Sequence, residues 1–288
     1  MIIGAVLIGA VVGFLTGVFG VGGGFLMTPA LMVLLSVPGP IAVGTCLAVI
    51  LATGSFGLLK RIGSNTVDIK LACTIACGSV VGVIVGSWLL QLLKEYSEAG
   101  TSHGEIGLVQ YVLLWSFLVL LVGVGAYLLW DYERNGGKAP KTRLGYFSKV
   151  HIPPYGRFSS LERPCLSVLP LVALGLCIGI LVGFMGVGGG VLLLPALVFL
   201  VGQRTSKAAG TSLLLVCISS FAGVILKSKT GDVNIRLFLA LLIGGAIGTL
   251  VGTEIGLKLA GPRIRLYFVF VIAVAVLVVA YKLLSAVC

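Results

Sequence analysis

Gly20-Val21-Gly22-Gly23-Gly24 and Gly186-Val187-Gly188-Gly189-Gly190 are the same five residues met twice, each block between two apolar runs and each followed by a proline, Pro29 and Pro195. Adjacent glycines cost a helix roughly 1 kcal/mol each relative to alanine, so each block predicts a helix break. A break frees backbone N–H and C=O groups. In hydrocarbon such groups survive only where the backbone is buried in protein or lines a cavity.

The surroundings are hydrocarbon-like. The chain has 288 residues, 58% hydrophobic and 10% charged. Runs such as 109–130 and 266–284 meet the length of about 20 residues for a bilayer-crossing helix, and they lack the alternation of barrel strands. The first run has no basic n-region and no small-residue cleavage site, so it reads as a helix, not a removed signal peptide. The fold class expected is an all-α polytopic membrane protein. Its segments fall at about 2–19, 25–35, 41–59, 69–93 and 108–130, then 165–185, 191–201, 207–226, 235–260 and 266–284. Between the two sets lies 131–164, rich in Lys, Arg, Pro and Gly.

The two sets are copies. Gly179 stands 166 positions after Gly13, and the same offset matches Pro29-Ala30-Leu31 with Pro195-Ala196-Leu197, Gly44-Thr45 with Gly210-Thr211, and Gly82 and Gly86 with Gly248 and Gly252. A period this long fits a duplicated transporter half, not a solenoid. The domains are therefore an N-terminal transmembrane repeat (1–130), a basic linker (131–164) and a C-terminal transmembrane repeat (165–288).

A net charge of +11 could suggest nucleic acid, but the basic residues sit in short loops between apolar runs, where they act as topology signals. With five crossings per half and a cytoplasmic linker, fifteen of the twenty Lys and Arg fall inside, while Lys94, Lys227, Lys229, Arg236 and Lys282 fall outside. An odd number of crossings turns the halves over. The expectation is two inverted five-segment repeats with helices broken at the Gly-rich blocks, both termini outside.

Scattered glycines read as helix packing. The two blocks read differently: each starts a half-helix whose N–H groups and positive dipole end can hold an anion. The candidate substrate-binding residues are Gly22, Gly23, Gly24, Gly188, Gly189 and Gly190, with Thr45, Cys46, Thr211 and Ser212 as completing donors. For these hydroxyls the plainer alternative is a bond back to their own helix. Arg61 and Lys227 correspond across the repeat; snorkelling accounts for Arg61, and an anion-attracting vestibule is the further role assigned to the pair. Glu254 pairs with Lys258 at helical spacing. Five of the seven cysteines fall within apolar runs, and they and the two histidines make no metal motif. No catalytic group, metal site or cofactor is expected, and no ATP-binding motif is present.

Gly-x-x-x-Gly-x-x-Gly-Val-Gly-Gly-Gly followed by Pro-Ala-Leu, in both halves, resembles the sulfite exporter TauE/SafE family of membrane permeases. The resemblance covers nearly the whole chain except the linker. It implies a transporter of a small sulfur-containing anion, such as sulfite or an organosulfonate, in the plasma membrane. With the breaks as the site, the expectation is a non-enzymatic secondary transporter, exporting by alternating access and coupled to a proton or sodium ion. The partners are the small anionic substrate, the lipid bilayer and, through exposed glycine faces, a second copy in a homodimer; nucleic acid is excluded. The alternatives are an anion channel and a non-transport scaffold acting through the basic linker.

Overall fold

The computed structural model of the chain describes residues 2–19, 24–62, 67–99, 107–135, 146–149, 153, 155–157, 165–203, 205–258 and 263–285. Gly22 and Gly23, the side chain of Arg61, both histidines and most of the linker lie outside them.

The described residues form ten helices. These are α1 (Ile2–Phe19), α2 (Gly24–Leu34), α3 (Gly39–Ile62), α4 (Ile69–Ala99), α5 (Leu108–Asn135), α6 (Val168–Met185), α7 (Gly190–Pro195), α8 (Thr205–Lys229), α9 (Ile235–Lys258) and α10 (Arg263–Ser285). Six of them, α3, α4, α5, α6, α8 and α9, contain stretches long and apolar enough to cross a membrane. The chain is an all-α polytopic membrane protein. The second glycine block separates α6 from α7, as expected; of the first block, only Gly24, which opens α2, is among the described residues. Pro195 ends the regular part of α7, which continues as a π-helical turn over Ala196–Val201, since proline removes one backbone bond and crowds the preceding turn.

Several boundaries differ from the sequence reading by a few residues, α5 among them, which runs on to Asn135 where 130 was expected; two others have structural consequences. The sixth segment was expected from residue 165, but Cys165–Ser167 is a strand, paired antiparallel with Tyr155–Arg157, and α6 starts at Val168. This start puts Pro170 in the first helical turn, where its missing N–H has no partner to lose. The fourth segment was expected to end at Leu93, but α4 runs on to Ala99. Lys94, expected in a loop, is helical, and its ammonium lies 3.1 Å from the Asp232 carboxylate.

The 166-residue register reappears in the packing. The first helix of each half packs along the fourth helix of the other, α1 on α9 and α6 on α4, while α3 packs on α8 and α5 on α10. Glycines spaced four apart line both first–fourth contacts. Gly78, Gly82 and Gly86 of α4 face the backbone of α6, and Gly244, Gly248 and Gly252 of α9 face that of α1. A spacing of four keeps these residues on one helix face, so the backbones touch without intervening side chains. A Cβ at Gly179 would sit 2.9 Å from Ser79 Cα, and one at Gly13 would sit 2.8 Å from Gly245 Cα.

Helix directions follow from the same contacts. Going up α1 from Val6 through Ala10 to Phe14, the partners climb α9 from Gly244 through Gly248 to Gly252, so the pair is parallel. The pair α4–α6 is likewise parallel. In α3 and α8 the order reverses, with Gly44 beside Lys227, Gly54 beside Cys217 and Gly57 beside Leu213. These two helices are antiparallel.

Replacing Gly179 with leucine forces α4 and α6 apart, and the expected cost is about 1–3 kcal/mol. It should appear as a lower melting temperature of the detergent-purified protein. Gly123→Ala, where an added Cβ meets nothing within 4 Å, should leave that temperature unchanged or slightly raised.

Candidate functional site

The second glycine block is fully described. Val182 O accepts the Gly186 N–H at 2.9 Å, closing α6, and Gly186 is left-handed, with φ +71°. Gly188 and Gly189 are also left-handed, at +72° and +70°. Side chains other than glycine adopt this region at a cost of about 1–2 kcal/mol, which explains glycine here. Gly189 O then accepts the N–H groups of Leu192 and Leu193, opening α7. Among the described residues, no acceptor meets the amides of Val187, Gly188 and Gly189. The first turn of α7 adds N–H groups of its own that have no intrahelical partner. All of this is buried: Val187 is 0% exposed.

The first block meets the second. Gly24, the opening residue of α2, lies against Val187, and a Cβ on it would stand 2.7 Å from the Val187 carbonyl oxygen. Ile50, in the middle of α3, is wedged against both Gly24 and Gly188. The two half-helices therefore begin side by side. Thr28, one turn into α2, donates to the Gly186 carbonyl at 3.4 Å and to Gly24 O at 3.3 Å. Cys46, 0% exposed, lies beside the same Thr28 hydroxyl. Gly24, Thr28, Cys46 and the block 186–190 thus form one buried cluster. Thr28 escaped the sequence reading because its counterpart at the 166-residue offset is Leu194. Thr28 is the only hydroxyl in that short apolar piece, and this was the available signal.

Thr45 and Thr211 lie elsewhere, at the two ends of the α3–α8 pair, in equivalent roles. Thr45 Oγ1 accepts the N–H of Asn234 at 3.1 Å, and Thr211 Oγ1 accepts the N–H of Asp68 at 3.2 Å. Asp68 and Asn234 correspond at the same offset. Asp68 Oδ1 accepts the Leu71 N–H, and Asn234 Oδ1 accepts the Leu237 N–H, so these residues cap α4 and α9. Each third helix therefore holds the cap of the other half's fourth helix. Thr211 also donates to Lys207 O at 2.9 Å and accepts from Gln203 Nε2 at 3.1 Å, so its hydroxyl is fully used. Ser212 donates to Ala209 O within its own helix.

Lys227 is enclosed, 1% exposed, with its stem over Gly44 and Asp232 beside it. Asp232 is itself held by Lys94 and by Thr230, whose hydroxyl donates at 2.7 Å. Lys94, Lys227 and Asn234, separated in sequence, meet at one end of the α3–α8 pair, and Asp68, Lys207 and Thr211 at the other. Glu254 is exposed, and the side chain of its expected partner Lys258 lies outside the described residues.

Comparison with known proteins places this architecture. A family model described as "Sulfite exporter TauE/SafE" matches residues 5–279. The chain is 26% identical over 285 residues to "Probable membrane transporter protein YjnA" of Bacillus subtilis (strain 168), covering 99% of this chain and 100% of that one. It is 27% identical over 261 residues to "Probable membrane transporter protein YunE" of the same organism, covering 88% of each. It is also 27% identical over 275 residues to a "Probable membrane transporter protein" of Xylella fastidiosa (strain Temecula1 / ATCC 700964), covering 94% of this chain and 92% of that one. No solved structure matches.

Gly188→Ala should cost more than Gly231→Ala. Both residues are left-handed, but a Cβ at Gly231 meets nothing within 4 Å, whereas one at Gly188 meets Ile50 at 2.9 Å. Gly231→Ala should show only the backbone cost of about 1–2 kcal/mol. Gly188→Ala should show a further loss of about 1 kcal/mol from crowding, both read from melting temperatures in detergent.

Proposed function

The chain belongs to the sulfite exporter TauE/SafE family, and on that premise we propose that it is a secondary transporter of a small sulfur-containing anion, with sulfite first among the candidates. The observation that carries the reading is the contact between the two breaks, Gly24 against Val187, with buried amides of the second break that meet no acceptor among the described residues. Unpartnered buried N–H groups are costly, and an anion supplies the acceptors they lack. Turn backbone gathers successive N–H groups toward one side, and the start of α7 adds its dipole. Gly22, Gly23 and Gly24 with Gly188, Gly189 and Gly190 form the binding surface in this reading. Thr28 and Cys46 are its side-chain neighbours. Among the described residues there is no carboxylate in the cluster to repel an anion.

The halves are proposed to be inverted repeats that rock about the antiparallel α3–α8 pair. Support comes from the helix directions, with first and fourth helices of opposite halves parallel and the two third helices antiparallel. Thr45–Asn234 and Thr211–Asp68 are then a clasp at each end of the pair. Alternating access opens one clasp while the other stays shut. With both formed, the present arrangement is the closed intermediate between inward- and outward-open states. In this role Thr45 and Thr211 act on the gate and not on the anion.

Orientation is proposed from charge. Lys70 and Lys207 lie at the Asp68 clasp, and the positive-inside rule puts that end and the basic linker in the cytoplasm. Both termini are then outside, and Lys227 and its surroundings line the outer approach, where a cation draws anions. Export and coupling to a proton or sodium ion complete the proposal.

Sealed vesicles containing the purified protein should take up labelled sulfite with saturating kinetics, well above empty vesicles and above chloride. Sulfate and thiosulfate in the same assay define selectivity. Gly188→Ala should lower the flux at least tenfold. If none of the four anions moves faster than in empty vesicles, transport of this substrate class is refuted.

A further inference from the structure

The two clasps are built alike, but one carries polar atoms that the other does without. At the Thr211 end, Asp68 is 7% exposed and Gln203 1% exposed. Asp68 uses Oδ1 to cap α4, and its Oδ2 has no hydrogen-bond partner among the described residues. Gln203 uses Nε2 on Thr211, and its Oε1 has none either. Both residues are pinned to the same Thr211 oxygen, Asp68 by its amide at 3.2 Å and Gln203 by its side chain at 3.1 Å. Asp68 and Gln203 therefore flank one hydroxyl, each with a buried acceptor that meets no donor among the described residues. A buried, unpaired acceptor is unfavourable, more so when it carries charge.

The fold does not require them. At the Thr45 end the same offset puts Asn234 in place of Asp68 and Val37 in place of Gln203. Asn234 still caps its helix through Oδ1 and still donates its N–H to the threonine. A neutral cap and an apolar neighbour are therefore enough to form a clasp. The carboxylate and the amide oxygen serve something other than the cap.

We propose that Asp68 Oδ2 and Gln203 Oε1 bind one monovalent positive charge, a proton or a sodium ion, and that this is the coupling site of the transporter. A proton on Oδ2 turns a bare acceptor into a donor for an amide oxygen. A sodium ion takes oxygen ligands from both residues, as hard cations do. Either one neutralises a carboxylate buried in a membrane protein, where ionisable side chains mark ion and proton pathways. Among the described residues, the charged groups at this end of the packed elements are Lys70 of α4, exposed, and Lys207 of α8, half-buried; those at the far ends, such as Lys94 and Lys227, belong to the other clasp, and the side chains of Arg61 and Arg204 lie outside the described residues. Binding at one clasp and not its twin ties the ion to one gate, so that it biases opening at that end alone. This last step rests on the transport reading; the binding itself does not.

The test uses Asp68→Asn, which copies the cap of the sister clasp and so keeps the fold. Melting temperatures of purified wild-type and variant protein are measured in sodium chloride and choline chloride, at acid and alkaline pH. A sodium-dependent rise in the wild type that is lost in Asp68→Asn identifies sodium. A rise on acidification that is lost in the variant, without a sodium effect, identifies the proton. If the wild type responds to neither, or the variant responds equally, the cation site is refuted. In vesicles, Asp68→Asn should lower sulfite flux driven by the matching ion gradient at least tenfold. Undiminished gradient-driven flux in the variant refutes coupling at Asp68. A wild type that moves no anion refutes the transport reading, and the melting data still decide the cation site.

Discussion

In hydrocarbon no solvent drives apolar helices together, and this fold depends on backbone meeting backbone along its glycine faces. The contacts α1–α9 and α4–α6 hold every fourth residue as glycine on at least one side, so the close approach supplies the dispersion contacts that association in lipid relies on. Because each pair takes one helix from each half, neither half is complete alone. The exchange of first helices brings Gly24, at the start of α2, against Val187 in the second break.

What lies between the glycine pairs is more polar and more adjustable. The α3–α8 pair is antiparallel, with a Thr-to-cap hydrogen bond at each end, and the breaks sit against the middle of α3 at Ile50. A hydrogen bond of this kind contributes about 0.5–1.5 kcal/mol net, small enough to open and close, whereas prising apart the glycine faces costs far more contacts. Close-packed first–fourth pairs and single hydrogen bonds at the ends of the α3–α8 pair are the division of labour that the proposed rocking mechanism needs. The two ends also differ chemically: one clasp has an acid and an amide with spare oxygens, the other a neutral cap beside an ion pair already closed between Lys94 and Asp232.

Much of the architecture was legible in the residues because hydrocarbon imposes length and the glycine blocks impose breaks. Most segments began or ended within a few residues of the expected positions, and the halves are in register over α1–α4 and α6–α9. The misses have identifiable causes. Lys94 looked like loop because it is charged, yet it remains helical and meets Asp232, 138 residues away. Thr45 and Thr211 were correctly paired with each other, but their partners, Asn234 and Asp68, belong to the opposite halves. Asp68 and Gln203 drew no attention at all, because in sequence they are polar residues between helices, as surface residues would be.

The sequence by itself determined the class of protein, the succession of helices, the places where they break and the duplication that relates them. Those properties come from local hydrophobicity, from glycine and proline chemistry and from comparison of the chain with itself. The tertiary structure alone decided which faces meet. It set Gly24 against Val187, made clasps of two threonines and buried Asp68 and Gln203 with oxygens to spare. These are relations between residues more than a hundred positions apart, or between a loop and the half it does not belong to, and only the packing of one half into the other creates them.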